Sequence, residues 1–223
     1  NVKRGEKIIT VEDPVEHPLD NVDQVQINPQ AGLTFSVVLR NILRQDPNII
    51  MIGEIRDDDT ARIASRAALT GHLVYSTLHT SNSLAVFNRL LDMNVESYVL
   101  SDAVKGIISE RLIRKLCPNC KKQITIEENS LYSKYLGSEY VGRRIFEKCG
   151  CPKCNMTGFL GRIPIFEIIQ VTKDFQELIM KKAPLTQYEK LMSKKQIQTL
   201  YTKAKQLILN GETSIDEVKR VIN

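Results

Sequence analysis

The string Asn48-Ile-Ile-Met-Ile-Gly-Glu-Ile-Arg-Asp57 is apolar at consecutive positions and then abruptly charged, which constrains the fold more than any other stretch. A strand apolar on both faces fits a parallel sheet covered by helices. Such sheets bind ligands beyond the carboxyl ends of their strands, where Glu54, Arg56 and Asp57 fall. Ile8, Ile9 and Val11 form a second apolar run that ends in Glu12-Asp13-Pro14, and Pro14 keeps Asp13 out of helical geometry. The chain therefore has two acidic strand tips.

The surrounding pattern is that of an α/β domain. Residues 23–27 alternate polar and apolar and predict an exposed hairpin strand. Thr34 is a candidate N-cap for a helix carrying Val38, Leu39, Ile42 and Leu43 on one side, with Arg40 and Arg44 sharing another face before Pro47 stops it. Asp58 or Asp59 is expected to cap an Ala-rich helix that Gly71 ends, and a strand over 72–79 follows. Helices are expected over 83–93 and from 97 to about 111. Strands alternating with helices imply a parallel sheet.

From residue 117 to 154 cysteine, glycine and tyrosine replace the aliphatic periodicity, and a small inserted subdomain is expected there. After it, 163–169 reads as one more strand, and the Lys- and Leu-rich remainder reads as helical, with Ser214 and Glu217 as a capping box. The expected organisation is thus 1–112 as the α/β core, 113–160 as the cysteine subdomain and 161–223 as a mostly helical subdomain.

With 223 residues and 42% apolar content the chain can bury a real core. The net charge of +5 favours anionic partners without choosing among them. No apolar run approaches the ~18 residues of a membrane span. Residues 1–5 show no apolar leader, so a cytosolic protein is the default.

The two acidic tips would provide one carboxylate for a Mg²⁺ and another to orient an attacking water, as nucleotide hydrolysis requires. Arg40, Arg44 and Arg56 flank them and can offset developing negative charge. His79, at the carboxyl end of its strand, is placed to hydrogen-bond a γ-phosphate, whereas His72 fits a packing role as well as a ligand role. Singly, an exposed Glu-Arg pair or an Asp-Pro turn is ordinary. Their gathering at one end of a predicted sheet favours the functional reading.

Cys117-Pro-Asn-Cys120 and Cys151-Pro-Lys-Cys154 are two CxxC pairs with 30 residues between them, a pattern that closes a structural four-thiolate Zn²⁺ site. Disulfides fit a cytosolic chain poorly, and Cys149 has no assigned place. No G-x-x-x-x-G-K-[ST] loop occurs, so the chain by itself is expected to bind nucleotide poorly.

These residues together resemble the secretion ATPase superfamily that powers type II secretion and type IV pilus or competence-pseudopilus assembly. Ile9-Thr-Val-Glu-Asp-Pro-Val-Glu16 resembles its Asp box, the segment 43–57 its atypical Walker B, and Thr70-Gly-His-Leu-Val-Tyr-Ser-Thr-Leu-His-Thr80 its His box. Cys154-Asn-Met-Thr-Gly-Phe-Leu-Gly-Arg162 resembles the link back to the C-terminal helices. The resemblance implies a partial RecA-like P-loop NTPase core with a tetracysteine zinc-binding insertion and a C-terminal helical subdomain. It implies that Glu12 polarises the attacking water, Glu54 acts near Mg²⁺, His79 senses the γ-phosphate, and Arg40, Arg44 and Arg56 support hydrolysis or coupling between subunits. Asp13, Asp57 and His72 would lie against ATP and Mg²⁺.

The tetracysteine element, Cys117, Cys120, Cys151 and Cys154, points to the assembly branch rather than the retraction branch. The expected whole is a cytoplasmic hexameric ATPase, associated with the membrane through an inner-membrane platform protein. The present chain would be its C-terminal part, with the Walker A loop upstream and little activity alone. The competing reading is a zinc-ribbon nucleic-acid-binding module on an α/β scaffold. The cysteine segment is poor in the interleaved aromatic and basic residues that such binding needs, and nucleic acid is not expected as a partner.

Overall fold

The computed structural model describes residues 5–222. The first four residues, part of the segment without an apolar leader, lie outside the described residues. The chain forms two compact units, one made of the residues up to Ile107 with Gln170–Lys195, the other of Ile108–Ile169 with the residues from Gln196 onward.

The first unit is built on a four-stranded parallel sheet of order β2-β1-β3-β4, with β1 Ile8–Glu12, β2 Asp23–Gln26, β3 Ile49–Ile52 and β4 Leu73–Ser76. The central strands are those apolar on both faces, and Ile9, Val11, Ile50 and Ile52 are buried. β2 departs from the hairpin expected for it. It pairs parallel to β1, from Ile9↔Asp23 to Glu12↔Gln26, and parallel neighbours need a return connection rather than a tight turn. Its own side chains hold that connection: Gln24 Oε1 accepts from the Leu19 N–H at 2.7 Å, and Gln26 Oε1 from that of Val15 at 3.2 Å.

Helix α1, Phe35–Ile42, starts at Thr34, whose hydroxyl accepts from the Val37 N–H, and buries Phe35, Val38, Leu39 and Ile42. Helix α2, Asp58–Leu69, is capped by Asp57, not by Asp58 or Asp59. Helices α3, Ala85–Asp92, and α4, Ser97–Ala103, follow. The helix expected to run to about residue 111 stops at Ala103, and Gly106–Leu116 is instead strand β5. Ile107 and Ile113 turn inward while Ile108 and Leu112 face out. That alternation has the two-residue period of a strand, and pairing with a neighbouring strand decides between two patterns that short apolar runs leave ambiguous.

The second unit holds β5 paired with β8, Phe159–Gln170, and β6, Lys122–Thr125, antiparallel to β7, Arg144–Glu147, with α5, Leu131–Leu136, between them in sequence. Helices α6, Lys173–Met180, and α7, Leu185–Lys194, return to the first unit, where Tyr188 stacks on Phe87 at 5.2 Å. Helices α8, Leu200–Leu209, and α9, Ile215–Val221, belong to the second. Ala204, Ile208, Ile215 and Val218 there complete a core with Ile113, Ile126, Leu136, Ile145 and Ile165. The cysteine segment therefore does not stand alone, because terminal helices cover its apolar side.

Only half of the Ser214–Glu217 capping box forms. Ser214 accepts from the Glu217 N–H at 3.3 Å, but the Glu217 carboxylate turns to Arg114 and Arg220.

Candidate functional site

Parallel strands bring their carboxyl ends to one edge, and in the first unit hydrogen bonds stitch three of those ends together. Gly53 N–H donates to the Val11 carbonyl at 2.7 Å, the Thr77 hydroxyl to the Gly53 carbonyl at 2.7 Å, and Ile55 N–H to the Thr77 carbonyl at 3.0 Å. Gly53 suits this close approach: a Cβ there would lie a tight 3.3 Å from the Val11 carbonyl oxygen and 3.5 Å from the Glu12 Cα.

On this edge Glu54 is the hub. One of its oxygens pairs with the Arg56 guanidinium, and the other lies 3.5 Å from His79 Nε2. Arg56 also reaches Asp13, Nη1 to Oδ2, at 3.8 Å. The Glu54 side chain is only 14% exposed, whereas His79 is 91% exposed and open to a ligand. The hydrogen bond from Arg56 holds the Glu54 carboxyl below its ordinary range against the opposing effect of burial, with the Arg56 and His79 charges adding to it. At neutral pH Glu54 is a pure acceptor, suited to a cation or to the proton of a water.

The other expected residues are distributed more widely. Glu12 stands at the adjacent tip, where its carboxylate accepts from the Thr10 hydroxyl at 2.5 Å and Gln24 Nε2 at 2.9 Å. The β1–β3 register ends at Val11↔Ile52, just before Glu12 on one strand and shortly before Glu54 on the other. Arg40 meets Asp59 at 3.3 Å, and Arg44 donates to Asn41 at 2.6 Å. Both carboxylate oxygens of Asp57 are engaged by Thr60, at 2.8 and 2.9 Å. His72 lies before β4, at the end opposite His79, with Nδ1 3.0 Å from the Ala67 carbonyl near the end of α2. Thr77, Gly53 and Gln24 are contributors that the sequence reading passed over. The alternating Gln24 and Gln26 carried a usable signal, and Thr77 carried none.

In the second unit Cys117, Cys120, Cys151 and Cys154 gather with all four sulfurs within 4.8 Å of one another. Neighbouring pairs stand 3.8 to 3.9 Å apart, close to the ~3.8 Å edge of a tetrahedron with metal–sulfur bonds of ~2.3 Å. Two backbone amides, Cys151 N–H at 3.3 Å and Gly158 N–H at 3.2 Å, donate to the Cys154 sulfur. Against burial, these donors and the neighbouring thiols draw Cys154 down to about 6, while burial and the adjoining sulfurs push Cys120 up to about 12. The donor set fits a soft, tetrahedral metal. Cys149 is exposed and outside the cluster.

The first unit is thus a parallel α/β domain whose strand tips gather carboxylates, an arginine and a histidine. The chain belongs to the type II/IV secretion system protein family, whose model matches residues 2–220. It is 42% identical to a putative type II secretion system protein E of Escherichia coli K12 over 97% of this chain and 44% of that protein. It is 41% identical to the type IV pilus assembly ATPase PilB of Thermus thermophilus over 94% of this chain and 24% of that protein. The chain thus spans less than half the length of these relatives. Its fold is similar to that of the pilus retraction motor PilT solved with bound ADP, with a TM-score of 0.68, 25% identity, and coverage of 96% of this chain and 52% of that one. Among the described residues no helix is long and apolar enough to cross a membrane.

Proposed function

We propose that this chain supplies the hydrolytic side of the nucleotide site in a ring-forming motor ATPase of type II secretion or type IV pilus assembly, the phosphate-cradling loop lying elsewhere in a longer polypeptide. The observation that carries the reading is the Glu54 group, a lowered-pKa carboxylate with Arg56, His79 and Asp13 on one sheet edge. Glu54 and Asp13 would hold Mg²⁺, which when bound offsets phosphate charge. Arg56 orients Glu54 and adds positive charge, and exposed His79 meets the terminal phosphate. Glu12, held by Thr10 and Gln24, orients the attacking water. Arg40, on the exposed side of α1, and Arg44, exposed in the turn that follows it, serve contacts with a neighbouring subunit of a hexamer.

The four cysteines hold Zn²⁺ in a closed, structural site. The assembled ring works at the cytoplasmic face of a membrane against an inner-membrane platform protein. The test is to purify the longer polypeptide and measure both ATP turnover and retention of DNA or RNA. Mg²⁺-dependent ATP hydrolysis without nucleic-acid retention is expected. Nucleic-acid binding with no turnover would overturn the proposal in favour of a binding module.

A further inference from the structure

In the second unit a cavity of about 400 Å³ is lined by Leu112, Arg114, Arg162 and Arg220, and a smaller one of about 220 Å³ shares Arg114 and Arg162 with it. Two of these arginines are fixed by one carboxylate. Glu217, fully buried, accepts from Arg114 Nε and Nη2 at 2.9 and 2.6 Å, and from Arg220 Nε and Nη2 at 2.9 and 2.7 Å. The Arg114 guanidinium also lies 4.2 Å from the centre of the Phe159 ring. Each guanidinium carries N–H groups beyond those two, so both retain donors for a further acceptor. The Arg162 side chain has no hydrogen-bond or ion-pair partner among the described residues. Three cations line a wall with one carboxylate behind it, which leaves excess positive charge, and Arg114 and Arg220 are held in place by Glu217.

We propose that this cavity binds a phosphate group, with Arg162 as its principal unshared ligand and Arg114 and Arg220 as fixed flanking donors. Planar guanidinium forks match phosphate oxygens, and Leu112 leaves room for the apolar part of an ester. The phosphate can belong to a soluble compound or to a lipid headgroup. This site lies in the second unit and does not depend on the nucleotide reading of the Glu54 group.

The test uses the 223-residue chain. Amide resonances are followed during titration with inorganic pyrophosphate, and sedimentation is measured with vesicles of phosphatidylglycerol or phosphatidylcholine, for the native chain, Arg162→Gln and Arg162→Lys. Saturable shifts at Arg114, Gly161 and Arg162, weakened about tenfold in Arg162→Gln as expected for a lost charged hydrogen bond and partly restored in Arg162→Lys, support the site. Sedimentation with phosphatidylglycerol alone, competed by pyrophosphate and lost in Arg162→Gln, assigns the phosphate to a headgroup, and pyrophosphate binding without sedimentation assigns it to a soluble ligand. Shifts confined to the surroundings of Glu54 and Arg56, equal binding by Arg162→Gln, or no saturable binding of either probe would overturn it.

Discussion

Glu217 and Glu54 show how the same residue type is set to different tasks by its neighbours. Glu217 has no exposed side-chain surface. Burial opposes its charge, but hydrogen bonds from Arg220 and Arg114, including the Arg114 backbone N–H, bring its carboxyl down to about 2. Replacing it with Gln removes the charge and turns one of its two acceptor oxygens into an NH2 donor facing a guanidinium, and a loss of about 3–5 kcal/mol is expected in urea unfolding of the second unit. Because the folded pKa lies below the free value of 4.5, this stabilisation is full above that value and fades as pH falls through about 2. The native chain should therefore approach the Glu217→Gln variant in stability on acidification; a stability gap that stays constant from pH 6 to pH 2 would refute the assignment.

Glu54 is held ionised by Arg56. In the longer polypeptide, Arg56→Gln should move the acid limb of kcat/KM to higher pH, since the carboxyl then regains a proton more readily. An unmoved limb would detach Arg56 from Glu54. The residue types and the sheet edge of this group were legible in the sequence, because an apolar run ending in charge announces a strand tip. The separate commitments of Asp57 to Thr60 and of His72 to Ala67 were not, since both depend on where α2 begins and ends.

At the scale of elements, helix capping and the four-cysteine cluster carry the local order. Asp57→Ala removes both bonds to Thr60 at the start of α2 and should cost about 1 kcal/mol, read as a lower urea midpoint. An unchanged midpoint would show that the cap is dispensable. Stripping metal with a chelator should speed amide exchange in β6 and β7 while the β1–β3 ladder keeps its protection; equal exchange in treated and untreated chains would remove the structural role from the cysteines. The helical and parallel elements of the first unit were readable from period and punctuation. β2 and β5 were not, because a four-residue edge strand and an apolar run after a helix owe their state to the partner strand.

At the scale of the whole chain, the segments of the two units alternate along the sequence, with α6 and α7 in the first and α8 and α9 in the second. Composition marks the cysteine segment but is blind to which distant helices cover it, so that division was hidden from the sequence. The account as a whole rests on the Glu54 group being part of an ATP-hydrolysing site. Its most direct test is the steady-state ATP turnover of the longer polypeptide carrying Glu54→Gln, with nucleotide affinity measured alongside. A fall in kcat of about 100-fold or more with nucleotide still bound is predicted, and a kcat equal to that of the native protein would contradict the account.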